Sequence, residues 1–343
     1  MKKLFSLSFV LLLALSVVLA GCGKEETGTS GEGEEKKIKI VAAHNQTSPD
    51  NPYQVGLLEF KKVAEEKSNG SIEVEVHAGT IGTEESELVE KLKLGAADVV
   101  LVSPGFMTQT GIKEIDLLAL PYLFDSYEHW EKVVDGEVGE EMAKLVNDKS
   151  NNDFKIVGYW SAGVRHYYGK KPIEKMEDLK GMTIRTQTSG VVADYWKQVG
   201  TIPTSIAWGE LYQALQQNVV DSSENSYPYF IQQNHHKTKN GQYITETGHD
   251  YTTRFLLVNG KKFDQYSKEQ QEIILEAAKA SVEAERASVL AQEDEYKQAA
   301  IADGAIVNEI DRAPFIKLAE PMQVKAAEAM GATQLFEKIR DLK

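Results

Sequence analysis

From Lys268 to about Ala302 the chain reads as one helical run, opened by a capping box in which Ser267 and Gln270 exchange hydrogen bonds. At about 1.5 Å rise per residue such a helix is roughly 50 Å long, more than the width of one lobe. A fold containing it needs two bodies for it to lie across. Ala277, Ala280, Ala284, Ala287 and Ala291 mark one side of it as a face for close packing. The 343 residues, 42% hydrophobic, are enough for two lobes.

The rest of the chain fits that demand. Ile38 to Ala43 is a short strand, and Asn51-Pro52 caps and opens a helix to about Lys67. SIEVEVH alternates as a strand after an Asn69-Gly70 turn. Thr83 is placed to cap the next helix, with Glu84 and Glu85 in its first turn where the helix dipole favours acid. Gly95 ends that helix and DVVLVS reads as a buried strand. Strand, helix, strand, helix, strand with short links predicts a mainly parallel sheet covered by helices, with ligands at the carboxyl ends of its strands.

Leu117 to Phe124, LLALPYLF, reads as core and crossover rather than site, and two amphipathic segments follow to about Lys149. Phe154 to Trp160 and Gly163 to Tyr168 read as separate strands, with the crossing between lobes placed between them. Helices are expected near Val191 to Gln198 and Gly209 to Gln217, and a strand at NVVDS. Tyr251 to Val258 returns to the first lobe, and helices at about Ala313 to Met330 and Ala332 to Leu342 are expected to finish the second. The boundaries that result are 38–162 plus 251–290 for lobe I and 163–250 plus 291–343 for lobe II.

Residues 1–22 stand apart from the fold. Lys2 and Lys3 precede a Leu/Val/Ala-rich core, too short for a comfortable membrane span, that ends Leu19-Ala20-Gly21-Cys22. Cys22 is the sole cysteine, so no intrachain disulfide can form. These residues resemble a bacterial lipobox, which implies export and lipidation of Cys22; an ordinary cleaved signal is the alternative. Residues 23–37, rich in Gly, Glu, Ser and Thr, read as a flexible, self-repelling tether. A formal net charge of −14 argues against nucleic acid or anionic membrane as a partner, so contact with the membrane is expected through the lipid only.

The chemistry-bearing stretch is Lys180 to Phe230. Met182 to Ile184 is strand, and Arg185 sits where it runs out, offering a planar fork that fits a carboxylate in two parallel hydrogen bonds. Trp208 can wall off a small ligand, and Asn225 supplies both donor and acceptor. A solvated arginine, a core tryptophan and a turn asparagine are the plainer readings of the same residues.

Four stretches, NGSIEVEVHAGTIGTEESELVEKLKLGAADVVLVS, LPYLF, DLKGMTIR and AWGELYQALQQNVVDSSEN, stand in the order and spacing of one family. The chain resembles the solute-binding proteins of TRAP transporters over essentially its whole length after the tether. The resemblance implies an α/β, two-lobed, periplasmic-binding-protein-like (Venus flytrap) fold with a long helix shared by both lobes. It implies a small organic acid as ligand, TRAP permease subunits as partners and no cofactor. By resemblance Arg185 pairs with the ligand carboxylate, Trp208 forms an aromatic wall, and Asn225 lies in the Glu-Asn stretch. Arg165 stands where a second ligand-facing arginine is common, and it could equally pair with a carboxylate across the hinge. His44, Asn45, Tyr53, Glu84, Ser103 and Phe106 are the first-lobe candidates. Thr186-Gln187 and Ser226 stand where prolines are frequent, which leaves the local backbone path open.

Enzymatic readings are poorer. His235-His236 diverge as neighbours, and no HExxH or paired-cysteine spacing supplies a metal site. GVRHYYGKK has five residues between its glycines and no Ser/Thr after the lysine, so it fails as a phosphate loop. Leu101 to Gly105 lacks the first glycine of a nucleophile elbow. Glu84-Glu85 with Glu224 could serve as an acid pair for sugar hydrolysis, but acidic residues are abundant enough here to pair by chance. A ligand-sensing partner of a membrane signalling receptor is the alternative function with the same fold and site.

Overall fold

A computed structural model describes residues 37–187 and 190–343. The leader, Cys22 and all of the tether except Lys37 lie outside them. Among the described residues nine strands form one mixed sheet: β1 (Ile38–His44), β2 (Ile72–Ala78), β3 (Val99–Val102), β4 (Phe154–Gly169), β5 (Thr183–Thr186), β6 (Ile202–Ser205), β7 (Ser222–Asn225), β8 (Tyr243–Asn259) and β9 (Ile306–Asn308). The order is β2-β1-β3-β8-β4-β7-β5-β6, with β9 beside β8. Both ends of the sheet are parallel, as the strand-helix alternation predicted, but its centre is not. There β8 runs antiparallel to β3 and β4, and β4 antiparallel to β7.

Two expected strands are in fact one. β4 continues from Phe154 to Gly169 because β8, seventeen residues long, pairs with it along its length. The register slips between Ser161 and Val164, where Gly163 adopts φ +75°, a conformation that suits glycine. The slip falls where the lobe crossing was placed, so one continuous ribbon joins the halves.

The helices are α1 (Pro52–Lys67), α2 (Glu85–Lys93), α3 (Pro104–Met107), α4 (Tyr127–Val134), α5 (Glu137–Lys149), α6 (Gly190–Val199), α7 (Leu211–Gln216), α8 (Tyr227–Gln232), α9 (Gly260–Phe263), α10 (Lys268–Ala302), α11 (Ala313–Met330) and α12 (Thr333–Asp341). Asn51 caps α1 through a bond from the Tyr53 N–H to its side chain. The capping box of Ser267 and Gln270 is present at the start of α10. Thr83 does not cap α2; Glu84 occupies that position, and its side chain is used elsewhere.

The long helix spans both lobes. Its first half buries Ile273, Ile274, Ala277 and Ala278 in a core with Leu57, Phe60, Val74 and Trp160. Its far end places Ala300 in another core with Tyr168, Leu215 and Phe230. The packing face is not the expected alanine line, since Ala287 and Ala291 are exposed. Between the two cores the buried stripe instead carries Glu285, Arg286 and Val289. The C-terminal helices also touch both halves. α11 packs on α6, while α12 meets α4 and α5 through a His129 Nε2 contact to the Ile339 carbonyl (2.9 Å) and a Lys338–Glu137 ion pair. Among the described residues no helix is long and apolar enough to cross a membrane.

Candidate functional site

The carboxyl ends of β1, β3, β5 and β7 converge with the middle of β4 and β8 on one cleft. It has two connected chambers. The first is lined by Asn45, Gln46, Glu84, Glu85, Phe106, Arg185, Gln187, Trp208, Asn225, Tyr229 and Arg254. The second adds Ser103, Arg165, Glu224, His249, Asp250 and Thr252, with Leu118, Ala119 and Pro121 as an apolar wall. Gln187 and Arg254 border both. The LLALPYLF run therefore contributes to a chamber wall as well as to the core.

Arg185 is 2% exposed. Its Nε donates to the Ile206 carbonyl (3.0 Å), and its guanidinium stands 5.5 Å from the centre of the Trp208 ring. Nη1 is buried with no hydrogen-bond partner among the described residues. Burial pushes its pKa down, partly opposed by the carboxylates of Glu224 and Glu84. A buried, under-bonded cation is costly unless something anionic meets it.

Arg165 is differently placed from the expectation of a second ligand-facing arginine. Its Nε and Nη2 grip both carboxylate oxygens of Glu224, and Nη1 donates to Asn225 Oδ1 (3.1 Å). His249 Nε2 lies 3.2 Å from Glu224 Oε2. Burial alone would raise the Glu224 pKa, but Arg165 and His249 outweigh it and hold the carboxyl down to about 2. Arg165 borders the second chamber with its charge already matched, so it orients Glu224 and Asn225. Asn225 spends Oδ1 on Arg165 and on the Ser226 N–H (2.9 Å), leaving its amide nitrogen as the available donor.

On the first-lobe side, Glu84 reaches across the cleft, and its Oε1 accepts the Trp208 N–H at 2.7 Å. Burial raises its pKa, while that bond and Arg185 oppose the rise. Ser103 borders the second chamber with its N–H (2.5 Å) and hydroxyl (2.7 Å) both on Glu85 Oε2. Asn45 and Phe106 line the first chamber.

His44 and Tyr53 line neither chamber. His44 accepts the Gln46 N–H on Nδ1 (3.2 Å), so Nε2 carries the proton toward Gln54 Oε1 (2.8 Å). Burial holds it down to about 4, a neutral side chain that fixes the turn carrying Gln46. Tyr53 accepts a hydrogen bond from Arg254 Nε (2.6 Å) and so supports the cleft from behind.

Sequence reasoning missed Arg254, Gln46, Gln187 and Asp250. Arg254 is buried, with Nη1 on the Thr253 carbonyl (3.1 Å) and Glu85 only a loose ion partner at 3.9 Å. It sits in the middle of an apolar strand, YTTRFLLV, and a charge there is the signal that could have found it.

A model of the family described as bacterial extracellular solute-binding protein, family 7, matches residues 42–329. The protein YiiZ of Salmonella typhimurium is 30% identical over 312 residues, covering 90% of this chain and 92% of that one. The C4-dicarboxylate-binding periplasmic protein DctP of Rhodobacter capsulatus is 26% identical over 299 residues, 85% and 88% of the two chains. Among solved structures, a TRAP periplasmic solute-binding protein from Sulfitobacter sp. with bound β-D-galacturonate superposes with a TM-score of 0.83 at 28% identity, covering 89% of this chain and 100% of that one. One from Citrobacter koseri with bound D-glucuronate gives the same values.

Proposed function

The chain belongs to bacterial extracellular solute-binding protein family 7, and from that we propose that the acid it captures is a sugar acid of the uronate kind. It is an extracytoplasmic receptor of a TRAP transporter, a binding protein and not an enzyme, which takes a small carboxylate and feeds it to a membrane permease. The sensing alternative has no counterpart among the relatives reported above.

The observation that carries the ligand reading is the buried Arg185, whose Nη1 has no partner among the described residues and stands beside the first chamber. The ligand carboxylate takes that position. Two carboxyls in the same cleft, Glu84 and Asp250, are acceptors that a hydroxylated ligand can satisfy. A plain dicarboxylate has no hydroxyls to give them, and its second charge would face them. Trp208 and Phe106 supply apolar surface for the ligand's carbon skeleton, and Asn45, Asn225, Gln187 and Arg254 supply donors.

In this reading the lobes are 38–162 with 251–290 and 163–250 with 291–343; the two ends of α10 entering different cores supports that division, while the packing of α12 on α4 and α5 gives the C-terminal helices contacts in both. Anchoring through a lipidated Cys22 remains a proposal from the lipobox-like sequence.

Isothermal titration of D-glucuronate, D-galacturonate and succinate into the purified protein tests the ligand class. A uronate bound at least tenfold more tightly than succinate supports the reading, and the reverse order overturns it.

A further inference from the structure

Two glutamates of α10 face the sheet where β4 slips register, and the binding reading uses neither. On β4, Ala162 and Gly163 form the bulge: Ser161 pairs with Thr253 and Val164 with Tyr251, leaving these two residues opposite the single Thr252. Such a bulge strips the strand of ladder bonds, and its polar groups need other partners.

Side chains supply them. Glu285 Oε2 accepts the Ser161 N–H (3.0 Å), and Ser161 Oγ accepts the Gly163 N–H (3.0 Å). Ser226 Oγ donates to the Ala162 carbonyl (2.6 Å), and Glu293 Oε1 accepts the Val164 N–H (3.0 Å). One glutamate thus holds the first-lobe end of the bulge and the other its second-lobe end. The fit is close: a Cβ on Gly163 would stand 1.9 Å from Glu293 Oε1, and one on Gly56 2.9 Å from the Glu285 Cβ.

We propose that Glu285 and Glu293 are the positioning residues of the lobe hinge, accepting hydrogen bonds that pin both ends of the β4 bulge and leave the Ala162–Gly163 peptide as the pivot of closure.

The surroundings suit neutral carboxyls. Glu285 is 0% exposed among Trp160, Tyr53 and Tyr229. Burial pushes it up to about 8, opposed by the Ser161 N–H and by the charges of Arg286 on its own helix and Arg254 on β8. The phenols of Tyr53 on α1, Tyr127 on α4 and Tyr229 on α8 also face it. Arg286 is itself committed to Asp135 and to the Tyr159 carbonyl. Burial likewise pushes Glu293 up to about 8, against the N–H groups of Val164 and Tyr227; Asp294 and Glu246 add to the rise. Tyr227 faces it from α8, and Lys297 one turn on pairs with Glu246.

The sign of the linkage gives a test that needs no ligand. A carboxyl whose folded pKa is raised burdens the fold increasingly as pH climbs from the ordinary carboxylate range toward 8. Glu285→Gln and Glu293→Gln keep an acceptor and cannot ionise. Their melting temperatures should match the parent near pH 4.5 and exceed it by a margin that grows up to about pH 8. Glu285→Ala and Glu293→Ala remove the acceptor and should melt lower at every pH. Small-angle scattering should show the alanine variants with an altered balance of open and closed forms, and the glutamine variants should restore the parental profile. If the glutamine variants melt lower than the parent at pH 8, the carboxylates act as charges and the proposal falls. It falls equally if the alanine variants keep the parental scattering profile.

Discussion

Glu84, at the start of α2, accepts the backbone N–H of Trp208 at 2.7 Å, so a carboxyl of one lobe is bonded to the aromatic wall supplied by the other. The same carboxyl borders the first chamber, and Trp208 stands over Arg185. In the proposed reading lobe contact and ligand contact fall to the same groups, so capture of the acid would coincide with closing the latch.

Glu84→Ala should speed ligand release. A hydrogen bond to a charged group is worth about 1.5–3 kcal/mol, so dissociation should rise roughly tenfold or more. Stopped-flow tryptophan fluorescence with D-glucuronate reads this directly. Glu84→Gln, which keeps an acceptor, should lose less.

Arg185→Lys should keep a charge but lose the fork. The expected cost is about 2 kcal/mol, roughly thirtyfold in affinity, measured by calorimetry. Unchanged affinity would remove Arg185 from the site.

Arg254 enters the cleft from β8, with Tyr53 and the Thr253 carbonyl fixing it. Arg254→Met keeps much of the volume and removes the donors. Uronate affinity should fall at least tenfold, and the same substitution at exposed Arg340 should leave it unchanged.

The Arg165–Glu224 pair governs acid stability. Glu224 is held at about 2 in the fold against an ordinary value of 4.5. Its stabilisation, about 3 kcal/mol for a shift of that size, is complete above pH 4.5 and is lost as pH falls toward 2. Arg165→Ala should destabilise the protein by about 3–5 kcal/mol, because buried Glu224 loses its bidentate partner and keeps only His249 beside it. Adding Glu224→Gln should recover part of that loss, and thermal denaturation between pH 2 and 7 follows both effects.

Cys22→Ser should release the protein from the membrane fraction of cells expressing the full chain. Parental protein that is equally soluble would overturn the anchor.

Much of this architecture is local and was legible for that reason. Repeating apolar positions and caps mark α1 and α10, and the residues before Arg185 mark its strand, although β5 does not end there but runs on through Arg185 to Thr186. The slip in β4 is legible as an interruption, which by itself reads as a gap between two strands. A bulge and a break look alike in one strand; only the uninterrupted partner β8 distinguishes them.

The sequence by itself determined the elements, the two-body plan demanded by a helix of α10's length, and an arginine offered to an acid. Tertiary structure decided which charges remain available. Arg165 and Arg185 look equivalent in the chain, yet Glu224, fifty-nine residues from Arg165, takes up one guanidinium and leaves the other under-bonded. Glu84 could have capped its own helix, but the approach of the second lobe turned it to Trp208. Helical and strand periods are fixed by neighbours along the chain. The state of a buried charge is fixed by whatever the fold brings beside it, and that is written in no single stretch.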